Sequence, residues 1–84
     1  MPYITAESRE KFVTELECFP QIETKGELEY CLFYLIRNNF MSNKEFKYST
    51  LHDATYAAIH VGDEFRRRFL DKREDVALEN NGDI

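Results

Sequence analysis

Between Leu28 and Ile36 nearly every side chain is apolar or aromatic: Leu28, Tyr30, Cys31, Leu32, Phe33, Tyr34, Leu35 and Ile36 leave only Glu29 to seek water. Leu28, Cys31, Leu32, Leu35 and Ile36 recur at helical spacing and make one stripe. Tyr30, Phe33 and Tyr34 fill most of the remaining circumference. A helix that is apolar all round has to be covered all round. A chain of 84 residues holds one domain and one core, near the lower limit at which a core stabilises itself unaided. One or two further helices do not cover such a segment, so burial in a homo-oligomer is expected. The alternative is a tightly wrapped monomer with exposed tyrosine hydroxyls.

The start of this helix is written in Thr24-Lys25-Gly26-Glu27, a capping box in which Thr24 and Glu27 satisfy each other's backbone N–H groups. The pattern predicts a helix over 25–39 that frays through Arg37-Asn38-Asn39. Upstream, Thr5 as N-cap and Pro20 as a stop predict a helix over 5–19. Phe12, Val13, Leu16 and Phe19 form its core face, and Glu7, Arg9, Glu10, Lys11 and Glu15 its wet one. Residues 41–48 read as a polar connector anchored by Phe46 and Tyr48, after which Ser49 or Thr50 caps a third helix over 50–71.

Leu51, Thr55, Ala58, Gly62, Phe65 and Phe69 give the third helix a near-heptad stripe, and Ala54, Ala57, Ala58 and Gly62 keep its middle small. Gly62 costs about 1 kcal/mol of helix propensity. Close approach of another helix is the expected compensation, with the bulky second helix as occupant. The tail, 74–84, holds a further turn through Val76 and Leu78 before Asn81-Gly82 turns the chain. The fold class expected is all-α: a single domain over 1–84 with three main helices and a short C-terminal turn or helix, packed as a homo-oligomer.

Sixteen acidic and 11 basic side chains give a net charge of −5, which repels phosphate backbones and argues against non-specific nucleic-acid binding. Hydrophobic residues at 43% place the chain among folded proteins rather than disordered ones. No run approaches the roughly 20 apolar residues of a membrane span, and Met1-Pro2-Tyr3-Ile4 lacks the basic start and apolar run of a signal peptide. A cytoplasmic, membrane-free protein is expected. Cys18 and Cys31 form no Cys-x-x-Cys and fall on apolar positions, which reads as buried free thiols.

Arg66-Arg67-Arg68 is the chemically loud feature of this acidic chain. On a wheel at 100° per residue Arg66 falls beside the core stripe, Arg67 on the outer face with Asp53, Tyr56, His60 and Glu64, and Arg68 on the opposite flank. The three guanidiniums therefore splay, and a shared ligand requires residues from a second subunit. Asp63 and Glu64 precede the arginines at the spacing of stabilising helix pairs, each worth a few tenths of about 1 kcal/mol, so a purely structural role competes with a binding one. For binding, guanidiniums match phosphate and carboxylate geometry. Tyr48 and Tyr56 are the aromatics best placed to stack a base, and Glu64 to orient an arginine or meet a ribose hydroxyl.

Asp53, His60 and Glu64 share a face that could hold a metal or move a proton, yet no further ligand stands near in sequence, and the same residues describe a solvated helix face. His52 reads as a surface residue. Phosphate-loop, nucleophile-elbow and zinc-binding spacings are missing. With three glycines in the chain, a glycine-built nucleotide cradle is not available. Neither a cofactor, a metal nor an enzyme is expected.

Gly26-Glu27-Leu28-Glu29-Tyr30, Tyr48-Ser49-Thr50-Leu51 and a final stretch containing Glu64, Phe65, Arg67, Arg68, Glu74, Asp75, Asn81, Gly82 and Asp83 resemble a family of short, uncharacterised proteins found in phages and bacteria. The resemblance covers roughly the last two thirds of the chain, with departures at Glu29, where the family tends to have Asn, and at Lys72-Arg73, where it tends to have Pro-Tyr. It implies a small helical protein of phage type, in the host cytoplasm if phage-encoded, and brings no established activity. By analogy of build, unrelated small phage proteins sequester nucleotide immune signals between subunits. The function expected is accordingly non-enzymatic sequestration of an anionic, nucleotide-like molecule at a subunit interface through Arg66, Arg67, Arg68, Tyr48, Tyr56 and Glu64. The competing expectation is a protein–protein interaction or inhibitor module, in which the arginines and the acidic tail dock a host or phage protein, with no small ligand.

Overall fold

Helix α1 (Ala6–Glu17) begins where Thr5, in extended backbone, accepts the N–H of Ser8 at 3.2 Å, and it ends at Cys18 ahead of Pro20. Helix α2 (Lys25–Leu35) opens on the full capping box. The Glu27 N–H donates to Thr24 Oγ1 at 3.0 Å, while Glu27 Oε1 accepts from the N–H groups of Thr24 at 3.3 Å and Glu23 at 2.8 Å. The computed structural model describes residues 2–82; Asp83, matched above to the family pattern, lies outside the described residues, as does Ile84.

Arg37-Asn38-Asn39 does not fray. The helix passes from Leu35 into a π turn, Ile36–Phe40, closed by the Met41 N–H on the Ile36 carbonyl at 3.0 Å, five residues back. Helix α3 (Tyr48–Phe65) starts ahead of both expected caps. Thr50 acts from inside the first turn: its hydroxyl accepts the Lys47 N–H at 3.3 Å and donates to the Glu45 carbonyl.

The third helix does not stop at 71 either. A second π turn, Arg66–Leu70, with the Asp71 N–H on the Arg66 carbonyl, leads directly into α4 (Asp71–Asn81). Neither proline nor glycine lies between Gly62 and Gly82, and the charged Lys72-Arg73-Glu74-Asp75 has no helix-breaking chemistry, so nothing there terminates the rod. Gly82 does, at φ 87°, its N–H on the Leu78 carbonyl at 2.9 Å. At about 1.5 Å per residue, 48–81 spans about 50 Å, which is the 51 Å long dimension of the molecule. The fold is all-helical, with no strand among the described residues. Among the described residues no helix is long and apolar enough to cross a membrane.

Packing departs most from expectation. Among the described residues the buried hydrophobics are Met41, 4% exposed, and Ala54, 5% exposed. The face of α1 read as core (Phe12, Val13, Leu16, Phe19) is exposed, and so are Leu51, Phe65 and Phe69 of the α3 stripe. At Gly62 an added Cβ would meet nothing within 4 Å, so α2 does not rest there, and of the small residues only Ala54 is covered. Phe46 is exposed beneath the Arg37 guanidinium, 4.9 Å from the ring centroid, and Tyr48 is 81% exposed. Met41, not these two aromatics, anchors the connector. Cys18 is exposed and Cys31 half-buried, both free thiols, because the helices that would cover them stand apart. The radius of gyration is 16.5 Å, against about 12 Å for a globular domain of this length.

Candidate functional site

The outer face of α3 carries planar rings at every fourth position, the spacing at which helix side chains meet. Ring centroids are 5.5 Å apart from Tyr48 to His52, 4.3 Å and stacked from His52 to Tyr56, and 6.1 Å from Tyr56 to His60. The next position of the series is Glu64, whose side chain is 13% exposed because Arg67 lies over it. Arg67 Nε donates to Glu64 Oε1 at 2.6 Å, with Nη2 also 2.6 Å from that oxygen. This hydrogen bond, reinforced by the carboxylate's charge, raises the Arg67 pKa further above the ordinary arginine value.

The π turn directs the other two arginines elsewhere. Arg66 Nη1 stands 3.4 Å from Asp63 and its Nε 3.9 Å from Asp71, loose and solvent-exposed pairs of the kind worth about 0–1 kcal/mol. Arg68 Nη1 donates to the Tyr3 hydroxyl at 2.9 Å, and its guanidinium lies 6.0 Å from the Tyr3 ring centroid and 5.3 Å from that of Phe69. Each guanidinium thus has its own partner.

Three shallow recesses result. One of about 350 Å³ is lined by His60, Asp63, Glu64, Arg66, Arg67 and Asp71. Tyr48 and Tyr56 line another of about 320 Å³ with His52, and Arg68 lies in a third, of about 220 Å³, with Tyr3. Of the sequence-derived candidates, Arg66, Arg67 and Glu64 come together, with Tyr56 reaching them through His60. Arg68 meets only Glu64 of these, which lines the third recess as well as the first, and Tyr48 does not join them, standing about 12 Å along the axis from Tyr56. The first recess sets two arginines among three carboxylates, so an entering anion competes with pairs already formed. Of the two arginines, Arg66 has the weaker hold to give up.

Among the described residues no three His, Cys, Asp or Glu side chains gather as metal ligands, so Asp53, His60 and Glu64 do not form such a group. Sequence reasoning passed over His52, whose place was legible in the four-residue spacing of 48, 52, 56 and 60. It also passed over Tyr3 and Asp71, the partners of Arg68 and Arg66. A further omission is a groove of about 580 Å³ between the α1–α2 link and α2, lined by Phe19, Pro20, Ile22, Tyr30 and Cys31 among others. Its wall is made by the link folding back on the helix, which periodicity does not reveal.

The whole chain, residues 1–84, matches the family model described as Domain of unknown function (DUF6899), and the chain belongs to that family. No curated protein and no solved structure matches it.

Proposed function

We propose that this chain is a non-enzymatic binding protein of phage type, acting in the cytoplasm as a homo-oligomer, whose α3 face takes an anionic, nucleotide-like molecule and withholds it as an anti-defence sponge. The observation that carries the reading is the run of planar rings, Tyr48, His52, Tyr56 and His60, leading into the recess of Arg66 and Arg67. A π face beside a guanidinium is the chemistry that recognises a planar group bearing an anion. Arg66 gives up its loose pairs to the anion, and Arg67, with five N–H donors and one carboxylate oxygen to serve, offers the remainder. Glu64 fixes the Arg67 fork, and Tyr56 with His60 stacks the ring. Arg68 and Tyr48 contribute only where a second subunit brings them to the same ligand.

A second reading, a protein–protein or inhibitor module, draws support from the carboxylates that already hold each recess arginine, since an exposed mixed-charge surface also suits a protein partner. Thermal melts across a nucleotide and cyclic-nucleotide panel separate the two. A ligand at 100 times its Kd stabilises by about 2.7 kcal/mol, about 10 °C or more in a chain this size. Arg66→Ala with Arg67→Ala should abolish that rise. A panel without any shift, or a shift indifferent to both substitutions, contradicts the ligand reading.

A further inference from the structure

The exposed surface of this chain is too large for a lone molecule, and large hydrophobic side chains on every helix contribute to it. Its accessible area is 7849 Å² at 10.0 kDa, against about 5,200 Å² for a folded monomer of that mass. The excess of about 2,600 Å² per chain compares with about 800 Å² per partner in a standard interface. It reaches the upper range of obligate dimers, whose interfaces resemble a domain core cut in half. The missing core has a location. Leu28, Tyr30, Leu32, Phe33, Tyr34 and Leu35 of α2 are all exposed, Phe33 at 72%. On one side of the helix Tyr30 borders the 580 Å³ groove, and Tyr30, Tyr34 and Leu35 border an adjoining one of about 320 Å³ with Phe19 and Cys31, while Leu28, Leu32 and Phe33 lie outside both.

We infer that α2 is the self-association surface of this protein, and that its occupant is the α2 region of a second copy. From Tyr30 to Ile36 there is no charged side chain, so two copies of this stretch meet without like-charge repulsion, as a self-complementary patch about a two-fold axis must. A chain with so small a core of its own needs its partner present whenever it folds, and another copy of itself meets that condition. The inference rests on the assembly part of the proposed function and not on the ligand. It leaves the ring face of α3 open.

Sedimentation of the full chain without any ligand tests it. The unmodified protein should show a multiple of 10.0 kDa at micromolar concentration. Phe33→Glu should weaken assembly about 30-fold or more, the effect of a residue worth 2 kcal/mol at an interface. Val76→Glu, an equally unfavourable change on an exposed position of polar α4, should keep the mass. Because Phe33→Glu can lose its fold together with its partner, alkylation of the unmodified protein supplies a second readout. Cys31, in the α2 groove, should be protected increasingly as protein concentration rises, while Cys18 reacts freely. A cooperatively folding monomer, an assembled Phe33→Glu, equal disruption by Val76→Glu, or concentration-independent labelling of Cys31 each overturns the inference. A failed nucleotide panel leaves all four readouts untouched.

Discussion

Helices α2 and α3 both present aromatic rings to solvent, and they differ in what surrounds those rings. On α3, Tyr48, His52, Tyr56 and His60 neighbour one another at successive turns, with His52 stacked on Tyr56, and run into carboxylates and guanidiniums that pair within the chain. On α2, Tyr30 and Tyr34 are 6.2 Å apart, and the leucines and Phe33 around them lie open with no charge from Tyr30 to Ile36. Polar partners a few residues away complete the first surface locally. The second has nothing local to complete it, and only another apolar surface removes it from water.

That contrast is broken most severely by placing one charge on each helix. Leu32→Asp should destabilise by more than about 2 kcal/mol, since it sets a charge in an apolar contact. Tyr48→Asp, at a position already in water, should change stability by about 0.5 kcal/mol or less. Urea titrations at several protein concentrations read both effects, and equal losses would erase the distinction. The unmodified midpoint should itself rise with concentration, as it does for a folded state stabilised by its own partner.

A smaller effect comes from Gly62→Ala, at a helical position where the new methyl meets nothing in the chain. It should raise stability by about 1 kcal/mol, seen as a higher urea midpoint. A fall would show instead that the small-residue side of α3 is filled by the second copy. Smallest is Tyr3→Phe, which removes the hydrogen bond from Arg68 to the Tyr3 hydroxyl across an exposed surface. A cost of about 0.5 kcal/mol or less is expected, and a larger one would mean that the N-terminal segment organises the π turn.

Local chemistry was legible in the sequence, and distant chemistry was not. The Thr5 cap, the Thr24/Glu27 box and the Gly82 stop involve partners within four residues, and each is present as read. The two π turns were not legible, since an i+5 bond leaves no compositional mark: Asn38-Asn39 reads as a fraying end and Arg66–Leu70 as ordinary helix. The continuity into α4 was legible in the lack of proline or glycine between Gly62 and Gly82, and the separation of Arg68 from Arg67 in the helical wheel. Tyr3 pairs with Arg68 across a sequence separation of 65, which no spacing rule reaches. The all-apolar circumference of α2 was the sequence's plainest feature, and its leucines, tyrosines and Phe33 are exposed in the single chain. The apolar faces of α1 and α3 misled, because periodicity names the side that seeks burial and not the molecule that provides it.

The mass of the intact, ligand-free chain by native mass spectrometry, followed from micromolar to nanomolar concentration, bears most directly on whether α2 is covered by a second copy. A species of at least 20 kDa, twice the 10.0 kDa chain, that gives way to unfolded charge states on dilution is the predicted result. A compact 10.0 kDa species persisting across that range, with the narrow charge distribution of a folded protein, would contradict it.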